Sequence, residues 1–194
     1  MLRTGKMRHR EVRSWSVRIG AVALVMACAA CGGGASSSPA RPAERQVLQT
    51  RNPQPSASAR MVCATEGRTE IAQAVGRDVA RPLVGRWRDG VYSCDYVYAD
   101  GKRMALSVKQ LSSSADTTAY FDMLGARLGR MHALQGLGQG AYQTTNGATV
   151  VRKDNLVLLV DVSHLPAAFG SPSSPKADVS LSVAATIMGC WTGA

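Results

Sequence analysis

An apolar run over residues 19–30 stops at Cys31, and Gly32-Gly33-Gly34 and a Ser/Pro tract follow at once. That junction confines any hydrophobic core to the later part of the chain. The run is 12 residues long, whereas a helix needs about 20 to cross a bilayer. Residues 1–18 are basic and polar and the run ends in small residues, so 1–30 has the three-part pattern of a secretory signal. No Arg-Arg pair precedes the run, which leaves a twin-arginine route without support. Residues 32–60 contain Gly, Ser, Pro, Ala and Arg with almost no large apolar side chain. Such a stretch cannot offset its own ordering entropy, so 31–60 reads as a flexible tether and 61–194 as one folded domain.

Ala29-Ala30-Cys31-Gly32 resembles the lipobox of bacterial lipoproteins. The resemblance implies that Cys31 is lipidated, becomes the first mature residue and fixes the protein to the extracytoplasmic face of the cell membrane. Two palmitate-type acyl chains plus a third on the amine anchor stably, where one chain binds only marginally. The lipobox prefers Leu, Val or Ile three residues before the modified sulfur, and here that position is Cys28. Cys28 is the alternative, with Val25 suitably placed, but the Gly-Gly-Gly and Ser/Pro tract follows Cys31.

The formal charge of +10 invites a nucleic-acid reading, since clustered Lys and Arg neutralise phosphates. Its distribution argues otherwise. Residues before Cys31 carry +5, residues 31–60 carry +3, and only +2 remains for 61–194. The basic tether suits anionic lipid headgroups, and no nucleic-acid partner is expected.

In the domain, Thr69–Gly76 predicts a short helix capped by Thr69, with Ile71, Ala74 and Val75 as its apolar stripe and Gly76 ending it. Residues 77–90 read as a connection with room for a short edge strand at 79–84. Runs at 90–98 and 102–111 flank Ala99-Asp100-Gly101, a strong hairpin signal. Alternation puts Tyr92, Cys94, Tyr96 and Tyr98 on one face and Met104, Leu106 and Val108 on the same face of the partner. The tyrosine row is core packing or the wall of a ligand pocket, and core is preferred. Residues 112–130 predict a helix with Tyr120, Leu124 and Leu128 in line. Gly136-Leu-Gly138-Gln-Gly140 reads as a turn, because a phosphate cradle needs a helix after it and strands follow. Those strands are a meander at 141–145, 148–153 and 156–164, whose last run is apolar on both faces and therefore central. A long exposed loop, 165–177, carries Leu165 and Phe169, and Asp178 caps a final helix.

After maturation Cys63, Cys94 and Cys190 remain. Outside the cytoplasm a disulfide is expected. Cys63–Cys94 would staple the first helix to the first strand, with Cys63–Cys190 the alternative and one thiol left over. No Gly-x-Ser-x-Gly, His-Glu-x-x-His or domain Cys-x-x-Cys occurs. Only His132 and His164 survive maturation, thin material for a metal site or a nucleophile–base pair, so no catalytic residue, metal or cofactor is assigned. Asp161 is unusual in so apolar a strand and fits a loop-capping carboxylate.

Val62-Cys63, Ala74-Val75-Gly76, Tyr92-Ser-Cys94-Asp-Tyr96, Leu106-Ser-Val108, Tyr120-Phe121, Leu137-Gly138-Gln-Gly140-Ala141-Tyr142 and 157–162 occur in that order. The pattern resembles a family of small lipoproteins from high-GC Gram-positive, mycobacterial-type bacteria that carry an extracellular domain of unknown function. That domain is similar to the sensor domains of some Ser/Thr kinases and to the PsbP-like fold. The resemblance implies fold and location, not activity.

The expected fold is α+β, an antiparallel sheet of about five strands covered by helices in the order α-β-β-α-β-β-β-α. The expected function is a non-catalytic, lipid-anchored envelope protein that binds a small apolar ligand or an envelope protein. Tyr92, Tyr96, Asp161, His164 and Phe169 are the candidate contacts. The rivals are an envelope hydrolase using Asp161 and His164, and a purely structural envelope component.

Overall fold

The computed structural model describes residues 54–192. The signal segment, Cys31, Cys28 and most of the expected tether lie outside the described residues.

Regular structure is already present within 32–60, against what its composition suggests. Ser56 caps a one-turn helix, α1 (Ala57–Arg60), by accepting from the Ala59 amide, and Pro55 and Ala59 are buried. A tighter turn over Met61–Cys63 leads into α2 (Thr65–Val75). This helix starts four residues before the expected cap, and Thr69 Oγ1 instead donates back to the Thr65 carbonyl. It ends where expected, at Gly76, whose φ of 67° is left-handed.

A short strand β1 (Arg86–Arg88) precedes the hairpin of β2 (Val91–Val97) and β3 (Arg103–Gln110). Helix α3 (Ser114–Leu128) follows, capped by Ser113. Then come β4 (Arg130–Leu134), β5 (Gly140–Thr144), β6 (Thr149–Lys153) and β7 (Leu156–Asp161). A small hairpin of β8 (Ala168–Phe169) and β9 (Ser174–Pro175) leads into α4 (Lys176–Thr192). No helix among the described residues is long and apolar enough to cross a membrane.

The fold is α+β with one seven-stranded antiparallel sheet in the order β1-β2-β3-β7-β6-β5-β4. The expected five strands become seven because the sheet gains β1 and β4 at its two edges. Neither shows strand periodicity: β1 has three residues, and β4 is exposed along nearly its whole length. The expected middle helix accordingly stops at Leu128, and Arg130 opens a strand. Strand β7 is the central one, as its two-sided apolar run requires.

One sheet face packs on α2 and α4. Cys94, Tyr96, Tyr98, Met104, Leu106, Val108, Leu158 and Val160 meet Ile71, Val75, Val183 and Ile187 there in the main core. The other face carries α3 over β5–β7, where Phe121 and Leu124 pack on Tyr142, Val150 and Val157. Two polar points of the first face are matched: Thr149 and Ser180 share a buried hydroxyl pair at 2.7 Å, and Gln143 donates to the Ala177 carbonyl at 2.7 Å.

Cys63 and Cys94 form the disulfide, with a Cα–Cα distance of 5.7 Å and a sequence separation of 31. Closing a loop of that length contributes about 3–4 kcal/mol in the chain-entropy model. Cys190 is free and half-buried on α4.

Candidate functional site

The five residues singled out in the sequence do not converge. Tyr96 is fully buried and its hydroxyl donates to the Val62 carbonyl at 2.8 Å. Tyr92 is half-buried against the same core, close under Gly85, where an added Cβ would lie 2.0 Å from the tyrosine oxygen. The tyrosine row is therefore core, the preferred of its two readings. The loop expected to expose Leu165 and Phe169 does the reverse: both are buried, and Phe169 stacks edge-on against Tyr98 with ring centroids 4.7 Å apart. Burial follows because the Ser171 amide bonds to the Val75 carbonyl at 2.8 Å, tying the loop to the end of α2.

Asp161 pairs across the sheet with Ala105, which pairs with Asp95, so it stands on the face opposite Tyr96 and Tyr98. Its carboxylate accepts from the Ser163 amide at 2.8 Å, a loop cap at the end of β7. His164 is exposed beyond it. Among the described residues no three His, Cys, Asp or Glu side chains are grouped to hold a metal ion.

What the chain does build is a cleft of about 640 Å³ at one end of the sheet, lined by Trp87, Gly90, Lys109, Gln110, Leu111, Ser112, Asp116 and Ala119. Two stretches of the chain, 87–90 and 109–119, contribute to it. The β1–β2 turn is tight, with Asp89 and Gly90 at φ 51° and 72°, and Asp89 turns its carbonyl onto Lys109 Nζ at 2.6 Å. Lys109 also lies 5.9 Å from the Tyr120 ring centroid. The Gln110 amide bonds to the Gly90 carbonyl at 2.8 Å, and its side-chain oxygen accepts from the Ser56 amide at 2.9 Å, which brings the start of α1 to the same corner. The Leu111 amide bonds to the Asn155 carbonyl at 2.9 Å.

The α3 cap forms the acidic side. Ser113 Oγ accepts from the Asp116 amide, and both Ser112 and Ser113 donate to Asp116 Oδ2, at 2.8 and 2.7 Å. The hydroxyl of Ser113, and then that of Ser112, holds the Asp116 carboxyl below the usual carboxylate range. Asp116 is thus an ionised, oriented acceptor whose Oδ1 has no partner among the described residues. Two signals for this cleft are visible in the sequence: the Asp89-Gly90 turn and the capping pattern Ser113-x-x-Asp116. No local pattern says that Trp87 joins them.

A second cleft of about 540 Å³ lies along α2, lined by Arg68, Thr69, Gln73, Arg77 and Asp78 among others. Arg77 is already committed there. It donates to Asp100 at 3.0 Å and stacks over the Phe169 ring at 4.8 Å.

Comparison with protein-family models, curated proteins and solved structures returns no match. The reading of the site therefore rests on its own geometry.

Proposed function

We propose that the chain is a lipid-anchored protein of the extracytoplasmic face of the cell membrane whose domain binds a ligand without transforming it. The observation that carries the reading is Cys31, placed directly after a short apolar run with small residues at 29 and 30 and a Gly/Ser/Pro tract behind it. The resemblance to small mycobacterial-type lipoproteins supports the same location. A disulfide joining Cys63 and Cys94 suits an oxidising compartment.

The ligand-binding half of the proposal is supported by the cleft at Trp87, Lys109 and Asp116. Its lining includes a cation, Lys109, and an oriented carboxylate, Asp116. Its volume falls within the roughly 300–1,000 Å³ usual for small-ligand sites. The hydrolase alternative loses support at Asp161, whose carboxylate is engaged by its own loop.

Membrane fractionation of the wild type and of Cys31→Ala, expressed with the whole leader, tests the anchor. The wild type should sediment with membranes and partition into detergent, and Cys31→Ala should be released. A Cys31→Ala protein that stays membrane-bound, with Cys28→Ala released instead, moves the anchor to Cys28. Release of neither variant removes the lipid from the account.

A further inference from the structure

We infer that residues 55–62 are a releasable strap between the membrane anchor and the domain, and that the Cys63–Cys94 disulfide is the stop at which release ends. This rests on the lipid-anchor reading above and gives the anchored protein two lengths.

The path of load makes the first argument. An anchor at Cys31 pulls on the described chain at its first residue, Gln54, and through it on the strap. The strap meets the body at separate points taken in chain order. Pro55 is buried, and the Ser56 amide donates to Gln110 Oε1 at 2.9 Å. The Ser58 carbonyl accepts from Trp191 Nε1 at 2.9 Å, and Ala59 is buried. Last comes the Val62 carbonyl, which accepts from the Tyr96 hydroxyl at 2.8 Å. Pulled from one end, such contacts are loaded one after another, so each gives way alone.

The helix inside the strap adds little resistance. α1 has four residues, and isolated helices shorter than about 12–15 residues are marginal in water. Its cap, Ser56 Oγ accepting from the Ala59 amide, lies within the strap and leaves with it. The sheet, α2 and α4 all lie beyond residue 63, so release keeps the strand ladder and the α2–α4 packing in place.

The stop follows directly. Cys63 is the next residue after Val62, and its sulfur is bonded to Cys94 within β2. That strand is paired with β3 along its whole length, and β3 in turn with the central β7. Peeling cannot pass residue 63 while the sulfur–sulfur bond stands. Without the bond, the next element in line is α2. The freed residues 55–62 span roughly 26–29 Å when fully extended, at about 3.3–3.6 Å each. Because α2 and β2 stay where they are, the seat of the strap persists and re-docking is intramolecular.

Single-molecule stretching of the mature chain tests the inference. Cys31 and Lys102→Cys, at an exposed turn position, supply the two handles in a Cys190→Ser background. With the disulfide intact, a first event at low force should free residues 55–62, apart from any unfolding of the sheet. Ser56→Ala removes the cap and should favour that opening about fivefold without changing its length. Under reducing conditions the first event should run on into α2 and free more chain. Hydrogen exchange without load supplies a second readout. The amides of Ala59, Arg60 and Met61, bonded inside the strap, should exchange faster than those of α2 and respond less to urea. A single unfolding event, a first event whose length is indifferent to reduction, or strap amides as protected as those of α2 overturns the inference. Membrane release of Cys31→Ala together with no early event leaves the anchor standing and removes the strap. An early event in a protein that carries no lipid removes the load, and with it the role inferred for the strap.

Discussion

The hydroxyl of Tyr96 on β2 donates to the main-chain carbonyl of Val62, 2.8 Å away and 34 residues earlier, with both residues fully buried. Two residues further on, just past the end of β2, the hydroxyl of Tyr98 is buried with no partner among the described residues. Replacing each by Phe should therefore have opposite consequences. Tyr96→Phe strands the Val62 carbonyl and should cost about 1–3 kcal/mol, whereas Tyr98→Phe removes an unsatisfied group and should be neutral or stabilising. Urea unfolding of the two variants checks this, and equal losses would contradict it.

Alkaline pH should unfold the domain through the same residues. Burial pushes the Tyr98 hydroxyl up to about 12, partly opposed by Arg77. Burial likewise pushes Tyr142 up to about 12, against the pull of Arg130, and raises Tyr96 as well. An unfolded tyrosine titrates near 10, so the fold holds these protons more tightly than the unfolded chain does. Their contribution is complete below about pH 10 and is lost as pH climbs towards 12. Stability measured from neutral to alkaline pH should stay level and then fall above pH ~10, with tyrosinate absorbance appearing together with loss of structure. Tyrosinate formation near its ordinary pH in a still-folded protein would oppose the burial argument.

Much of the architecture is written in local signals. Asp100-Gly101 between alternating runs marks the β2–β3 hairpin, and the two-sided run 157–160 marks the central strand. Cys63 and Cys94 pair as their positions suggest. The misses share a cause. Arg130–Leu134 is an edge strand exposed on both sides, so no burial imposes a period of two on its residues. Ala57–Arg60 has the composition of a linker and is ordered only because distant side chains use it: Trp191 Nε1 donates to the Ser58 carbonyl at 2.9 Å. The cleft is the same kind of feature, since the β1–β2 turn and the start of α3 are brought together through the sheet and not through any spacing in the chain.

That use of 55–60 makes a testable boundary. A chain starting at residue 61 loses the Trp191 bond, the Ser56–Gln110 bond and the burial of Pro55 and Ala59. It should be less stable than one starting at 54 by at least about 2 kcal/mol. Equal denaturation midpoints would return these residues to the tether.

Gly67 sits inside α2, where helix propensity alone predicts that Ala would gain about 1 kcal/mol. The fold predicts the reverse. A Cβ there would stand 2.3 Å from the Met61 carbonyl oxygen, in a turn pinned by the Cys63 disulfide and unable to withdraw. Overpacking of this kind costs about 1–3 kcal/mol, so Gly67→Ala should lower the melting temperature. A rise would mean that the Met61 turn is free to move.

The placement of the whole molecule rests on one sulfur, and intact-mass measurement of the protein extracted from its own membrane addresses it directly. The account predicts a chain beginning at Cys31 whose mass exceeds that of the polypeptide by a diacylglyceryl group and one further acyl chain. A chain that keeps residues 1–30, or one that begins with an unmodified Cys31, contradicts it.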